Sequence, residues 1–272
     1  MRKGYFMTTD TLTKNAPKAW QNPEVDNLIC DNTLYLPIAH NDIKRIPIKE
    51  NDEEMIDIID MNNKRLVPLS KFSSQYNNTY KEFSLIRKTV ADKLLKMLEF
   101  LPVELGIAYF EGFRPIYKQK QYFDDKMRET LETIKDKELA YEETSKSVLP
   151  PFDGNTPTHA TGAAIDMTLF SFKNGLLDMG KFDTIFGPNH HQETFSTDTT
   201  QAQRKNRLIL LEAAIKAGFV NYGFEWWHYS YGDKAWAYVK NQKEAIYDIA
   251  ADKNDPILSI KKSDYLDTFD VT

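Results

Sequence analysis

The sequence has a single cysteine among 272 residues, and this scarcity excludes two kinds of small-domain architecture. Cys30 has no second cysteine with which to form an internal disulfide bond, so the chain is not a disulfide scaffold. It also offers only one thiolate, whereas zinc fingers use several. Any metal bound by this chain must therefore be held by histidine and carboxylate side chains.

Long apolar runs and an excess of positive charge are also missing. No stretch approaches about 18 uninterrupted apolar residues, which predicts that no segment spans a membrane. The first residues are rich in threonine and charge where a secretory signal is apolar, which predicts a cytoplasmic protein. Lysine and arginine total 35 against 40 acidic residues, so no global positive field favours nucleic acid. The expected partner is a small molecule, and homo-oligomer formation stays open.

The remaining composition is that of a folded protein. Hydrophobic residues make up 41% of the chain, enough to bury a sizeable core. No linker, repeat or low-complexity tract divides the sequence, which favours one α+β domain. We predict a polar N-terminal arm at residues 1–30, a folded domain at 31–250 and a polar C-terminal tail at 251–272.

Hydrophobic periodicity predicts the principal elements. Apolar residues recur at helical spacing from Ile86 to Leu101, and Gly218 is a helix stop. Helices are predicted for residues 79–101, 116–148 and 201–217. Strands are predicted for residues 105–110 and 163–170, for two short segments after Gly218, and for short apolar runs between residues 34 and 69 at the edges of the sheet.

Two of the five histidines lie beside predicted strands with a carboxylate nearby. In the sequence HATGAAID, His159 lies on a loop and Asp166 lies inside a strand. Gly162 and the alanines between them have little bulk, so the loop can fold against the strand and bring both side chains to one centre. Taken alone, this spacing is more typical of a structural hydrogen-bonded pair.

The second candidate element is the EWWH segment at residues 225–228. A catalytic zinc takes three protein ligands, and His228 would complete a set with His159 and Asp166. Glu225 is close enough in sequence to act as a general base without binding the metal. Non-haem iron enzymes also use two histidines and a carboxylate, but the spacing that they commonly show is missing. A thermolysin-like arrangement is excluded because His-Glu-x-x-His is absent.

Four segments in this order carry a family resemblance. They are FEGFRP (110–115), THATGAAIDMTL (158–169), LDMG (177–180) and AGFVNYGFEWWHYSYGDKAWA (217–237). Their order and rough spacing resemble those of the zinc D-alanyl-D-alanine dipeptidases of the VanX type and their carboxypeptidase relatives. The resemblance extends over residues 80–240. It implies an α+β fold with a central antiparallel sheet flanked by helices.

The resemblance also implies roles for individual residues. The ligands of one zinc ion per chain would be His159, Asp166 and His228. Glu225 would be the catalytic base, and Arg114 would stabilise the charge that develops on the scissile carbonyl oxygen. Asp183 would receive the ammonium group of the substrate. Pro157 departs from the family, which often has serine there, and this departure concerns substrate preference rather than zinc chemistry.

Three functions are compatible with these patterns. The first is cytoplasmic hydrolysis of the dipeptide D-alanyl-D-alanine. The second is a zinc D,D-carboxypeptidase or endopeptidase that acts on peptidoglycan stem peptides. The third is an inactive relative or binding module in which the metal only holds the fold. Acceptance of N-acylated peptides distinguishes the second from the first, and the presence of a complete set of site residues disfavours the third.

Overall fold

A mixed β-sheet forms the centre of the protein. The computed structural model describes residues 31–76, 80–180, 192–251 and 254–269. The strands in these ranges are β1 (Thr33–Leu34), β2 (Met55–Asp57), β3 (Leu66–Pro68), β4 (Leu85–Arg87), β5 (Leu105–Glu111), β6 (Ala164–Ser171), β7 (Gly175–Leu176), β8 (Val220–Tyr222) and β9 (His228–Ser230). The main sheet has the order β1-β8-β9-β6-β5-β3, and β7 forms a hairpin with β6. Strands β2 and β4 form a separate small sheet.

The centre of the main sheet is antiparallel. Strands β5, β6, β9 and β8 pair antiparallel in turn, while the edge strands β1 and β3 join β8 and β5 in parallel. The predicted α+β fold with an antiparallel centre is confirmed, and its two edges add parallel pairs. Short strands from the segment 34–69 do lie at the edges of the sheet, as predicted, although β2 belongs to the small sheet.

Helices flank this sheet. Those in the described ranges are α1 (Asn41–Lys44), α2 (Lys88–Phe100), α3 (Ile116–Thr133), α4 (Lys137–Ser147), α5 (Gln201–Ala217), α6 (Lys234–Val239) and α7 (Lys262–Leu266). None of the helices in this part of the chain is long and apolar enough to cross a membrane. The prediction for α5 is confirmed at both ends, because Thr200 and Gln203 form a capping box and Gly218 takes a left-handed conformation.

Two helix predictions were wrong in extent. The helix expected from residue 79 begins at Lys88, because Leu85–Arg87 pairs with β2 as strand β4. The apolar stripe that begins at Ile86 therefore continues from a strand into a helix. The long helix expected at residues 116–148 is two helices, since Asp136 caps a new one by accepting from the backbone N–H of Leu139.

The main hydrophobic core lies between one face of the sheet and the packed pair α2 and α5. Alternate residues of β6, including Met167 and Leu169, contribute to it together with Ile107 of β5. Leu94 of α2 and Leu210 of α5 are fully buried in the same core. The opposite face of β6 carries Asp166, so the packing of this core determines which face presents polar side chains.

A second core joins α3 and α4 to the C-terminal segment. Phe123 and Tyr141 contact the ring of Tyr265, which is 3% exposed. The hydroxyl of Tyr265 also donates to Asp124 at 3.0 Å. Part of the segment that we expected to form a tail, residues 254–269, therefore packs against the helices that follow β5. The predicted arm at residues 1–30 lies outside the described residues.

We predict that Leu94→Ala lowers the free energy of unfolding by about 2–5 kcal/mol, because the side chain is fully buried and leaves a cavity. Leu95→Ala is the matched control, since Leu95 is 38% exposed on the same helix and should lose well under half as much. Urea denaturation followed by circular dichroism measures both. Equal losses for the two variants would contradict the assignment of the core face of α2.

Candidate metal centre

Three polar side chains form a row across neighbouring strands. Asp166 of β6 lies directly opposite His228 of β9 on one side and Glu111 of β5 on the other. All three are at most 7% exposed. Strict alternation along β5 would place Glu111 on the core face with Tyr109, but the register shifts between these two residues. This irregularity turns Glu111 to the face that carries Asp166.

His159 reaches the row from a turn that precedes β6. The turn His159–Thr161 ends at Gly162, whose φ of 72° is left-handed. Any other side chain would be strained by this positive φ, and its β-carbon would lie 2.5 Å from the end of the Met55 side chain, which favours glycine. Nδ1 of His159 lies 2.7 Å from the carbonyl oxygen of Gly112, to which it can only donate. Nε2 therefore carries the lone pair, and it points at Asp166.

His228 presents its other ring nitrogen to the same point. Its Nδ1 lies 3.0 Å from Oδ1 of Asp166, while its Nε2 lies 3.3 Å from Oγ1 of Thr158. The hydroxyl of Thr158 can accept from Nε2–H, and the backbone carbonyl of Thr158 accepts from the hydroxyl of Thr161 at 2.6 Å, which holds the turn. When Nε2–H donates to this hydroxyl, the lone pair of His228 lies on Nδ1. In both histidines, the ring nitrogen that faces away from Asp166 has a hydrogen-bond partner, and the other ring nitrogen is directed at Asp166.

The three donor atoms have the spacing of a metal site. Nε2 of His159 is 3.1 Å from Nδ1 of His228 and 3.3 Å from Oδ1 of Asp166. Tetrahedral bonds of about 2.0–2.1 Å place ligand atoms roughly 3.3 Å apart. Two imidazole nitrogens and one carboxylate oxygen also suit a catalytic zinc, which keeps a fourth position open. Among the described residues, this group is the one with three donors that could hold a metal ion.

The electrostatics of the group favour a charged Asp166. Burial alone would raise the pKa of this carboxyl, but His159 and His228 outweigh burial and hold the pKa well below its usual range. Burial alone would lower the pKa of His159, and Asp166 outweighs it in turn, so that pKa is raised. A cation placed among the three donors would be attracted by the same carboxylate.

Glu225 borders the donor group without belonging to it. Its Oε2 lies 3.8 Å from Nδ1 of His228, and its side chain is 21% exposed. Burial raises the pKa of Glu225 to about 7. A cation bound by the neighbouring donors would favour the charged carboxylate and lower this pKa.

The amide of Asn221 fixes the turn between Glu225 and His228. Its Nδ2 donates to the backbone carbonyls of both residues, at 3.2 and 3.0 Å. Its Oδ1 accepts from the hydroxyl of Thr194 at 2.7 Å, and the side chain is fully buried. One side chain therefore sets the distance between the candidate base and a candidate ligand.

Arg114 lies beside the group at the end of β5. Its guanidinium donates to both carboxylate oxygens of Glu111 and to Oε1 of Gln119. Its backbone N–H donates to the carbonyl oxygen of His159 at 3.1 Å. The structure thus brings together five of the six residues that the sequence singled out. The sixth, Asp183, lies outside the described residues.

Sequence reasoning missed the side chains that hold this site. They are Glu111, Gln119, Thr158 and Asn221. Glu111, Thr158 and Asn221 stand inside motifs that were recognised, yet no spacing rule identifies a residue that supports another residue. The irregularity in β5 also hides Glu111 from the alternation pattern. Asn221 carries a weak signal, since a buried strand favours apolar residues and an amide there requires hydrogen-bond partners.

Comparison with known proteins agrees with these observations. Residues 72–248 match the Peptidase M15 family model, described as D-ala-D-ala dipeptidase. The chain is 29% identical over 157 residues to a D-alanyl-D-alanine dipeptidase of Synechocystis sp., an alignment that covers 50% of this chain and 64% of that protein. It is 27% identical over 131 residues to a D-alanyl-D-alanine dipeptidase of Enterococcus faecalis, with 47% and 63% covered. Both alignments span slightly less than two thirds of the relative.

Among solved structures, that of the LdcB LD-carboxypeptidase aligns with a TM-score of 0.40 and 21% identity, covering 71% of this chain and 78% of the other. The family model, in contrast, matches continuous sequence that includes β5, β6, β9 and all three donor residues. Because that match extends over more than half of the sequence, the chain belongs to the Peptidase M15 family of D-ala-D-ala dipeptidases.

Proposed function

We propose that the protein is a zinc-dependent dipeptidase that hydrolyses D-alanyl-D-alanine. The observation that carries this proposal is the convergence of His159, Asp166 and His228 with donor atoms 3.0–3.3 Å apart, bordered by Glu225 and Arg114. Membership of the family and the named activity of the two relatives support the choice of substrate. The catalytic domain would comprise residues 31–250, with residues 1–30 and 251–272 as additions to it.

The three donor residues would hold one zinc ion. When bound, zinc acts as a Lewis acid that polarises a carbonyl group and makes a water molecule more acidic. The carbonyl of Gly112 holds His159 in the tautomer that such binding requires, and the hydroxyl of Thr158 would hold His228 likewise by accepting from its Nε2–H. Little reorganisation of the protein is then needed on binding, which favours high affinity.

Glu225 would take a proton from the attacking water and return it to the leaving amine. It lies close to the donor group but contributes no atom to it, as a general base requires. Arg114 would stabilise the negative charge that develops on the scissile carbonyl oxygen. Its side chain is 11% exposed, so its hydrogen bonds act in a partly desolvated environment where they are stronger.

Substrate selection is assigned to a separate residue. Asp183, which lies outside the described residues, would receive the free ammonium group of the dipeptide. The proposal also places the protein in the cytoplasm, where a small free dipeptide rather than a cell-wall polymer would be the substrate. Cell fractionation with an antibody against the protein tests the location.

We predict that Glu225→Gln lowers kcat by about 10²–10⁴-fold, because the amide cannot take up a proton. Zinc content should stay at one ion per chain, as Glu225 is not a ligand. Release of D-alanine and metal analysis measure the two quantities. Glu212→Gln is the matched control, since Glu212 is paired with Lys216 on the outside of α5, and its kcat should be unchanged. Near-normal turnover by Glu225→Gln would overturn the assignment of the base.

We predict that Thr158→Val weakens zinc binding by about 10–100-fold, because His228 loses the acceptor that fixes its tautomer. Thr158→Ser keeps the hydroxyl and should bind zinc within about threefold of the original protein. Competition with a chromophoric chelator measures both affinities. If valine and serine behave alike, the hydroxyl does not orient His228.

We predict that the protein releases D-alanine from free D-alanyl-D-alanine and not from its N-acetylated form. Acetylation removes the positive charge of the ammonium group that Asp183 would bind. Asp183→Asn should raise KM for the free dipeptide more than it lowers kcat. Both substrates are compared with protein of known zinc content. Hydrolysis of the acetylated peptide would move the protein to the carboxypeptidases, and inactivity on both with zinc bound would favour a binding module.

A further inference from the structure

We propose that Glu111 is a positioning residue for the reaction: its carboxylate fixes the plane of the Arg114 guanidinium and balances its charge, so that Arg114 acts as an oriented pair of hydrogen-bond donors. This inference rests on the proposed function and adds a residue to it. It concerns the orientation of Arg114 relative to the donor group, which the strand end alone does not determine.

Two of the three side-chain hydrogen bonds that Glu111 accepts from the described residues come from Arg114. Its Oε1 accepts from Nε of Arg114 at 2.9 Å and from the hydroxyl of Tyr80, and its Oε2 accepts from Nη2 of Arg114. The pair is therefore bidentate, which fixes the in-plane orientation of a guanidinium. Glu111 is 7% exposed, so solvent does not compete for these bonds.

Arg114 is also held on its other sides. Gln119 accepts from Nη1 at 2.8 Å, and its own amide donates to the carbonyl oxygen of Leu149 at 2.7 Å, which fixes the direction of its oxygen. The ring of Tyr122 lies 4.9 Å from the guanidinium carbon and restricts motion out of the plane. Glu111 and Gln119 together use three of the five N–H groups. In the described part of the chain, one N–H on Nη1 and one on Nη2 remain for a substrate oxygen.

The same short segment ties Arg114 to the donor group. Glu111 lies opposite Asp166 on the neighbouring strand, and the carbonyl of the next residue, Gly112, accepts from Nδ1 of His159. The backbone N–H of Arg114 returns to the carbonyl of His159. A guanidinium anchored to Glu111 is therefore anchored to the strand row that carries the ligands. A displacement of about 1 Å at such a centre can cost on the order of 10² in rate.

Glu111 also neutralises the positive charge of Arg114. The Arg114 side chain is 11% exposed, and an uncompensated cation there would attract the carboxylate of any peptide. With Glu111 in place, the pair is neutral, and Arg114 does not bind the carboxylate of the peptide in the ground state. Removal of the Glu111 charge should then lower kcat without raising KM, since non-productive binding becomes stronger.

A double-mutant cycle on kcat tests this inference. Glu111→Gln should lower kcat by at least about 10-fold in the original protein and by less than about twofold in an Arg114→Ala background, because the residue acts through Arg114. Glu111→Asp retains the charge and should recover part of the loss. Equal fold-changes in the two backgrounds would overturn the proposal, as would a rise in KM with unchanged kcat.

Glu50→Gln is the matched control. Glu50 pairs with the buried Arg87 at 3.0 Å, so the substitution removes the same charge from a similar pair. It should lower the melting temperature, and any fold-change in kcat should be the same in the original protein and in the Arg114→Ala background. If the effect of Glu50→Gln depends on Arg114 as strongly as that of Glu111→Gln, the cause is general destabilisation and the proposal fails.

A readout that needs no turnover distinguishes a failure of this inference from a failure of the proposed function. The ¹⁵N-labelled side chain of Arg114, assigned by its loss in Arg114→Lys, should give an Nε–H resonance protected from solvent exchange, and Glu111→Gln should abolish that protection. An unprotected Nε–H in the original protein would overturn the positioning role. Inactivity on every peptide tested, with this protection intact, would count against the proposed function alone.

Discussion

Asp166 is a carboxylate buried in the middle of a β-sheet, and a charge in that position requires partners. Its two nearest partners are His159 and His228, which together hold its pKa below the usual range. The antiparallel register supplies His228 directly opposite, but His159 can arrive only if the chain turns sharply before β6. The left-handed Gly162 makes that turn, so the compensation of this one charge depends on the shape of the loop.

Each buried polar group that compensates Asp166 needs hydrogen-bond partners of its own. The structure supplies these partners in successive layers around Asp166. The far nitrogens of the two histidines bond to Gly112 and Thr158. The carbonyl groups of the turn that leads to His228 are bonded by Asn221. Because buried polar groups in a partly satisfied network are costly, this completeness leaves the site few alternative arrangements. Preorganisation is therefore a by-product of satisfying buried hydrogen bonds.

Sequence was sufficient for some features that local rules decide, although it missed Asp136, the N-cap that divides the helix expected at residues 116–148. Helix α5 has a capping residue and a terminal glycine, and its bounds were predicted correctly. The meeting of His159 with Asp166 followed from the small residues between them. Local rules failed where long-range pairing decides the structure. Ile86 was predicted to be helical, but it belongs to a strand through its pairing with β2. Glu111 was missed for a related reason, as the irregularity in β5 reverses the face that alternation predicts. The catalytic roles stay predictions.

Arg87 and Arg114 each pair with a carboxylate, and the number of N–H groups that the protein uses distinguishes a structural role from a role in substrate binding. Arg87 directs its five N–H groups at five acceptors, among them both oxygens of Glu50 and the carbonyl of Thr161 beside the turn of His159. Arg114 has an equally close carboxylate partner, yet its described contacts use three N–H groups. A saturated guanidinium can only hold the protein together. A guanidinium that is oriented but unsaturated can still bind an oxygen that arrives with substrate, and the difference follows from the contacts alone.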